Sequence, residues 1–147
     1  MPHFMLDTNC MIAAVSRAHP RHTEAADEYN VRLDRGESLI LAAHSLAEAY
    51  SVLTRIPVPL RLSARQAATV LETSFLNRGQ VVSLDGPEYV ALLQSLPSRG
   101  VTGGLVYDAI IAACARKGDA DVFLTFNQRH IEQVIDPGIE VVAPGSH

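Results

Sequence analysis

The sequence predicts an α/β fold: a single three-layer domain with a central parallel sheet of about five strands, flanked by helices. Three observations lead there. Short apolar runs of strand length alternate with segments of helical periodicity along the whole chain. Those runs are continuously apolar rather than alternating, as strands covered on both faces are. The 147 residues contain no linker, repeat or low-complexity tract, so residues 1–147 are expected to form one domain.

Residues 3–7, apolar up to Asp7, read as the first strand. From residue 8 to about 16, Met11, Ile12, Ala14 and Val15 recur at helical spacing. Pro20 opens a second helix that runs to about Arg35 and stops at Gly36. Residues 38–43 are a compact apolar run and make a buried second strand. Ser45 is placed to cap a helix reaching about Ile56. Pro57-Val58-Pro59 breaks it, because each proline lacks a donor and restricts the residue before it. Residues 63–78 form the next helix, with Ser63 and Gln66 in capping-box spacing. Residues 81–84 are the third strand, Asp85-Gly86-Pro87-Glu88 opens a helix towards Leu96, and residues 97–104 read as an irregular loop. Gly103-Gly104 precedes an apolar helix from Leu105 to about Lys117, closed by Gly118. A fourth strand over 122–125, a short helix over 128–134 and a last strand over 140–142 follow.

Composition narrows the class. Hydrophobic residues make up 48% and charged residues 19%, which is ordinary for a globular protein. A domain of this length buries roughly 70% of its unfolded surface, enough for a core without staples. With no Trp and only 5% aromatics, that core is expected to rest on Ala, Val, Leu and Ile. Cys10 and Cys114 stand in apolar surroundings and read as two small buried thiols, which points to a reducing compartment. The first residues lack the basic region and long apolar stretch of a signal peptide, and no apolar run approaches the ~20 residues of a membrane span. A cytoplasmic location is therefore expected. The net charge of −4 argues against the broad basic surface of a general nucleic-acid binder. It leaves room for an enzyme whose acids cluster in one site and are neutralised by metal.

Three acids stand where an ordinary fold would not place them. Asp7 ends the first strand, and open α/β sheets bind ligands at the carboxyl ends of their strands. It is also a good helix cap, although Asn9 could take that role and free it. Glu48 lies three residues after Ser45, the spacing of a capping box, but among Ala43, Leu46, Ala47, Ala49 and Val52. Asp108 stands in Leu105-Val106-Tyr107-Asp108-Ala109-Ile110-Ile111, a helix apolar nearly all round, which implies a central position. A carboxylate there costs several kcal/mol unless paired or bound to a cation, and Arg116 is too far along the helix to pair with it. The alternatives for Asp108 are a partner distant in sequence or a metal. Thr125 and Asn127, after the fourth strand, offer a hydroxyl and an amide at the same sheet edge. Three acids sharing one site repel one another, and a hard divalent cation such as Mg2+ or Mn2+ resolves the conflict.

At these residues the chain resembles the PIN-domain ribonucleases, and among them the VapC-type toxins of bacterial toxin–antitoxin pairs. The matching pieces are Met5-Leu6-Asp7-Thr8-Asn9, Glu48 in its Ser-Leu-Ala-Glu helix, Tyr107-Asp108-Ala109-Ile110-Ile111-Ala112-Ala113, and Ala120-Asp121-Val122-Phe123-Leu124-Thr125-Phe126-Asn127. Together they cover essentially the whole chain in order. The resemblance implies a five-stranded parallel sheet with Asp7, Glu48 and Asp108 as ligands of Mg2+ or Mn2+. It implies metal-assisted hydrolysis of single-stranded or looped RNA, an antitoxin that blocks the site, and a homodimer. The chain departs from the family at its fourth acidic position, where Asn127 adds no charge, so one firmly held metal is expected rather than two. Thr125 and Asn127 complete the catalytic set, and Thr8 and Asn9 fall to the substrate. Of the arginines, Arg55 and Arg61 flank the proline-broken stretch and are the preferred phosphate contacts. The histidines show no metal-ligand spacing.

Two other readings share these motifs: a PIN-like nuclease that processes RNA without an antitoxin, and a catalytically idle module that binds RNA or protein. More distant α/β folds fail on their own residues. A receiver domain needs an acidic pair after the first strand and a late lysine, but Thr8-Asn9 follow Asp7 and no lysine follows Lys117. A haloacid-dehalogenase-like phosphatase needs an aspartate where Asn9 stands.

Overall fold

A computed structural model describes residues 2–146. Five strands, His3–Leu6 (β1), Ser38–Ala42 (β2), Gly79–Val82 (β3), Val122–Leu124 (β4) and Glu140–Val142 (β5), form one sheet in the order β3-β2-β1-β4-β5. Every neighbouring pair is parallel. The helices are Thr8–Val15 (α1), His22–Asp34 (α2), Ala43–Arg55 (α3), Ala64–Leu71 (α4), Gly86–Arg99 (α5), Leu105–Lys117 (α6) and Gln128–Glu132 (α7), with α4 continuing into a π-helical turn, Glu72–Leu76. The predicted α/β fold with a five-stranded parallel sheet is the one observed.

The sheet explains why its strands read as unbroken apolar runs. Successive side chains point to opposite faces. Phe4, Leu6, Leu39, Leu41 and Leu124 face one way, onto Cys10, Met11, Tyr29, Leu53 and Phe75. Met5, Ile40, Ala42 and Phe123 face the other way, onto Leu96, Ile111, Cys114, Ala115 and Ile131. Both faces are buried, so neither can be polar. Both cysteines are free and buried, one in each layer, as expected. The core is more aromatic than composition implied: Phe4, Phe75 and Phe123 are among the largest fully buried side chains, and Tyr29 packs against Phe4 and Phe75. Few aromatics are present, but Phe4, Tyr29, Phe75 and Phe123 are buried, each worth roughly 1.5–3 kcal/mol of burial.

Helix α2 begins at His22 rather than at Pro20, and three further boundaries differ from those read in the sequence for a physical reason. The third strand lies two residues early, over Gly79–Val82. It is a sheet edge whose register is set by backbone pairing with β2, and Gly79 sits where a Cβ would come within 2.8 Å of the Leu39 side chain. Helix α5 runs through Pro97 to Arg99 rather than ending at Leu96. A proline so near the end interrupts little, and Gly100, at φ 68°, closes the helix with its N–H on the Leu96 and Pro97 carbonyls. Helix α3 starts at Ala43, directly from β2, so Ser45 is inside the helix and is not its cap. Among the described residues no helix is long and apolar enough to cross a membrane.

Candidate active site

The strand order reverses direction at β1: β2 and β3 extend to one side, β4 and β5 to the other. Such a switch point opens a crevice at the carboxyl ends of the central strands, where α/β sheets hold ligands. Asp7 follows β1, Thr125 and Asn127 follow β4, and α3 carries Glu48 up from the end of β2. Asp108 enters from the first turn of α6. A cleft of about 360 Å³ results, lined by Asp7, Thr8, Asn9, Glu48, Asp108 and Asn127 together with Ile12, His19, Val52 and Ile56. Six of the residues singled out from the sequence thus share one cavity, from four separate segments. A larger cleft, about 650 Å³ along α5 and α6, contains none of them.

Asp7 is the most firmly held. It is only 6% exposed and caps α1. Its Oδ1 accepts the Thr8 N–H at 2.9 Å and its Oδ2 accepts the Thr125 hydroxyl at 2.8 Å. Thr125 is fully buried, and its Oγ1 accepts in turn the Asn127 N–H at 2.9 Å. The hydroxyl therefore ties the ends of β1 and β4 across the crevice. Asn9, read as a possible cap, lies inside α1 instead, and its Oδ1 is buried without a hydrogen-bond partner.

Burial pushes the Asp7 carboxyl up to about 6, against the two hydrogen bonds that favour its ionised form, and Asp108 and Glu48 add to the rise. Asp108 is raised as well, again first by burial, with Glu48 adding and His130 and His44 opposing. Desolvation thus outweighs the mutual repulsion on which the sequence reading relied. Asp108 is also less central than its helix composition implied, being half-buried at the start of a helix that covers one face of the sheet. Glu48 makes no capping box: Ser45 Oγ is buried without a partner, and the His44 imidazole stands beside Glu48, Nε2 to Oε2 at 3.8 Å.

Sequence reasoning passed over His19, His44 and His130, which the fold gathers round the acids. Only His44 carried a signal, since it precedes Glu48 by four residues on one helix face. The preferred arginines are not in the cleft. Arg55 is exposed in the last turn of α3, and Arg61 donates to the Ile56 carbonyl at 2.9 Å, which holds it on the loop beside the rim.

The donors suit a hard cation. Three carboxylates face one cavity, and Thr8 Oγ1 and Asn9 Oδ1 add buried oxygens lacking hydrogen-bond partners. Among the described residues, no three His, Cys, Asp or Glu side chains form a ready-made cage. Hard divalent ions such as Mg2+ need no closed cage, since they keep several waters and take one or two carboxylates plus substrate phosphate.

A model of the PIN domain matches residues 4–135. Ribonuclease VapC40 of Mycobacterium tuberculosis (strain ATCC 25618 / H37Rv) is 33% identical over 126 residues, 86% of this chain and 87% of that protein. Ribonuclease VapC27 of the same strain is 33% identical over 121 residues, 82% of each. Among solved structures, VapBC2 from Rickettsia felis, bound to a DNA fragment from its promoter, superimposes with a TM-score of 0.67 and 20% identity. That match covers 97% of this chain and 98% of the other.

Proposed function

The chain belongs to the PIN-domain family, and on that premise we propose that it is a Mg2+- or Mn2+-dependent endoribonuclease, the toxin of a toxin–antitoxin pair. It would hydrolyse phosphodiester bonds of single-stranded or looped RNA in the cytoplasm and so inhibit translation. The observation that carries this reading is the meeting of Asp7, Glu48 and Asp108 in one cleft at the switch point of the sheet. The names of the ribonuclease relatives support the substrate class. The VapBC structure supports an antitoxin partner, and a homodimer is proposed with it.

Asp7, Glu48 and Asp108 would hold the metal. A bound divalent ion supplies Lewis-acid stabilisation of charge on the scissile phosphate and a more acidic water. The protein's own residues divide the remaining work. Asp7, buried and fixed by two hydrogen bonds, is the rigid ligand. Glu48 and Asp108, half-buried on separate helices, have room to adjust as a phosphate enters. Thr125 holds Asp7 in register, and Asn127 offers an amide without adding charge. Thr8 and Asn9 line the floor where substrate enters, with Arg55 and Arg61 outside the rim for phosphates farther along the strand.

Two consequences follow for the residues behind the acids. Thr125→Val removes the hydroxyl that orients Asp7 and is expected to weaken Mn2+ binding roughly 10- to 100-fold, the range for an outer-shell partner. Calorimetric titration checks it. Asn127→Asp supplies the missing fourth carboxylate and is expected to tighten Mn2+ binding in the same titration; unchanged affinity would remove Asn127 from the site.

The toxin reading is tested by controlled expression in a bacterial host. Wild type is expected to arrest growth and Asp7→Ala is not. Arrest by both would disconnect the acids from toxicity. RNA cleavage in vitro without growth arrest would favour an RNA-processing nuclease instead.

A further inference from the structure

We propose that Tyr107, backed by His44, is a stacking platform for a base of single-stranded RNA beside the phosphate that is cut. The inference rests on the ribonuclease reading and deepens it. Tyr107 is 54% exposed, more than any other Phe or Tyr among the described residues. It does not hang loose: its ring lies parallel to His44, 8° between planes and 5.4 Å between centroids. One ring face is covered and the exposure leaves the other for a third ring. Parallel offset stacking is also the geometry that a nucleobase adopts on a protein aromatic.

The location gives the platform its purpose. Tyr107 immediately precedes Asp108 at the start of α6, and His44 stands one turn before Glu48 on α3. The two rings therefore bridge the helices that carry two of the three acids. The electrostatics give it a reason. The cleft is lined by carboxylates and by no arginine or lysine, and the chain carries a net charge of −4. Apart from a bound metal, the cleft therefore offers RNA phosphates no Arg or Lys to grip. Stacking is uncharged and tolerates acidic surroundings, and every base has a π face to offer. Tyr107 would set which nucleotide lies next to the cleavage point and favour a purine for its larger area. His44 is a positioning residue that fixes the plane of the Tyr107 ring.

The test uses the full chain in Mg2+ and short RNA substrates carrying 2-aminopurine at successive positions, whose fluorescence falls on stacking. In wild type, one position next to the cleaved bond is expected to be quenched before cleavage. Tyr107→Ala is expected to lose that quench and raise KM roughly 5- to 150-fold, the cost of one base–aromatic stack, with kcat nearly unchanged. The slope of KM against salt should stay as in wild type, because no phosphate contact is lost. Tyr107→Phe should keep both quench and KM, and Tyr107→Leu, equally apolar but not flat, should behave like the alanine variant.

Wild-type KM and quench in Tyr107→Ala would overturn the platform while leaving the nuclease standing. Restoration by Tyr107→Leu would reduce the ring to apolar packing and overturn it too. Unchanged RNA kinetics with lost affinity for a purified antitoxin would assign the ring to protein docking, again against the proposal. Absence of RNA cleavage in wild type itself would overturn the ribonuclease reading and the platform with it.

Discussion

Replacing Asp7 with asparagine is expected to abolish RNA cleavage and, at the same time, to make the metal-free protein more stable. Both effects come from the same burial. Asp7 ionises at about 6 in the fold and near 3.8 in an unfolded chain. Between those values the folded state holds a proton that the unfolded state has released, so stability falls as pH rises from about 4 to above 6. The difference of about two pH units corresponds to roughly 3 kcal/mol of folding stability given up at neutral pH. Asparagine carries no charge and escapes that cost. It keeps the Thr8 N–H on its oxygen, but its NH2 must then face Thr125, whose hydroxyl proton loses its acceptor, a penalty of about 1 kcal/mol. A net gain of about 1–2 kcal/mol remains, or a few degrees in Tm for a chain of this length. Thermal melts in EDTA from pH 4 to 8 check this. Wild type should lose stability across that window and Asp7→Asn should lose less. Saturating Mg2+ should flatten the wild-type curve, because the ion then takes the place of the proton.

Asp108→Asn is expected to cost cleavage at least the roughly 10²- to 10³-fold that losing one preorganised electrostatic group costs, with the fold intact. Asp108 is half-buried in the first turn of α6, where the substitution removes charge but little volume. Burial and Glu48 both raise its carboxyl, so the metal-free variant should be no less stable than wild type. Measured kcat on an RNA oligonucleotide and a melt of the same preparation separate lost chemistry from lost structure. Full activity in Asp108→Asn would take that acid out of the site.

How far the sequence carried these conclusions differs from residue to residue. The sheet was legible because a parallel sheet covered on both faces leaves continuous apolar runs, and four of the five strands lie within a residue of where those runs stand. The third was displaced because an edge strand is registered by backbone pairing, which composition does not record. Asp7 was legible as an acid at a strand end. Its special status, however, comes from β1 being the middle strand at the reversal of order, which only the tertiary arrangement reveals. The ranking of the acids changes accordingly. Asp108 owes the apolar look of its neighbourhood to the sheet face beneath α6, while the acid under the greatest strain of burial is Asp7.

Glu48 shows how a local rule yields to the fold. The Ser45-x-x-Glu48 spacing is that of a capping box, but β2 passes straight into α3, so the helix begins two residues before Ser45 and the glutamate is released to the cleft. His19 and His130 left no trace in the sequence, because they reach the site from segments whose approach is set by loops rather than periodicity. Arg55 and Arg61 were placed by their flanking of a proline-rich break, and that break starts beside Ile56, at the rim of the cleft.

The most direct test is cleavage of an RNA oligonucleotide by purified wild type in Mg2+, in Mn2+ and in excess EDTA, with Asp7→Asn, Glu48→Gln and Asp108→Asn assayed beside it. A three-carboxylate metal site predicts cleavage by wild type in either ion, none in EDTA, and near-background rates in all three variants although each remains folded. Cleavage that persists in excess EDTA, or that survives in the folded Asp7→Asn variant, would contradict it.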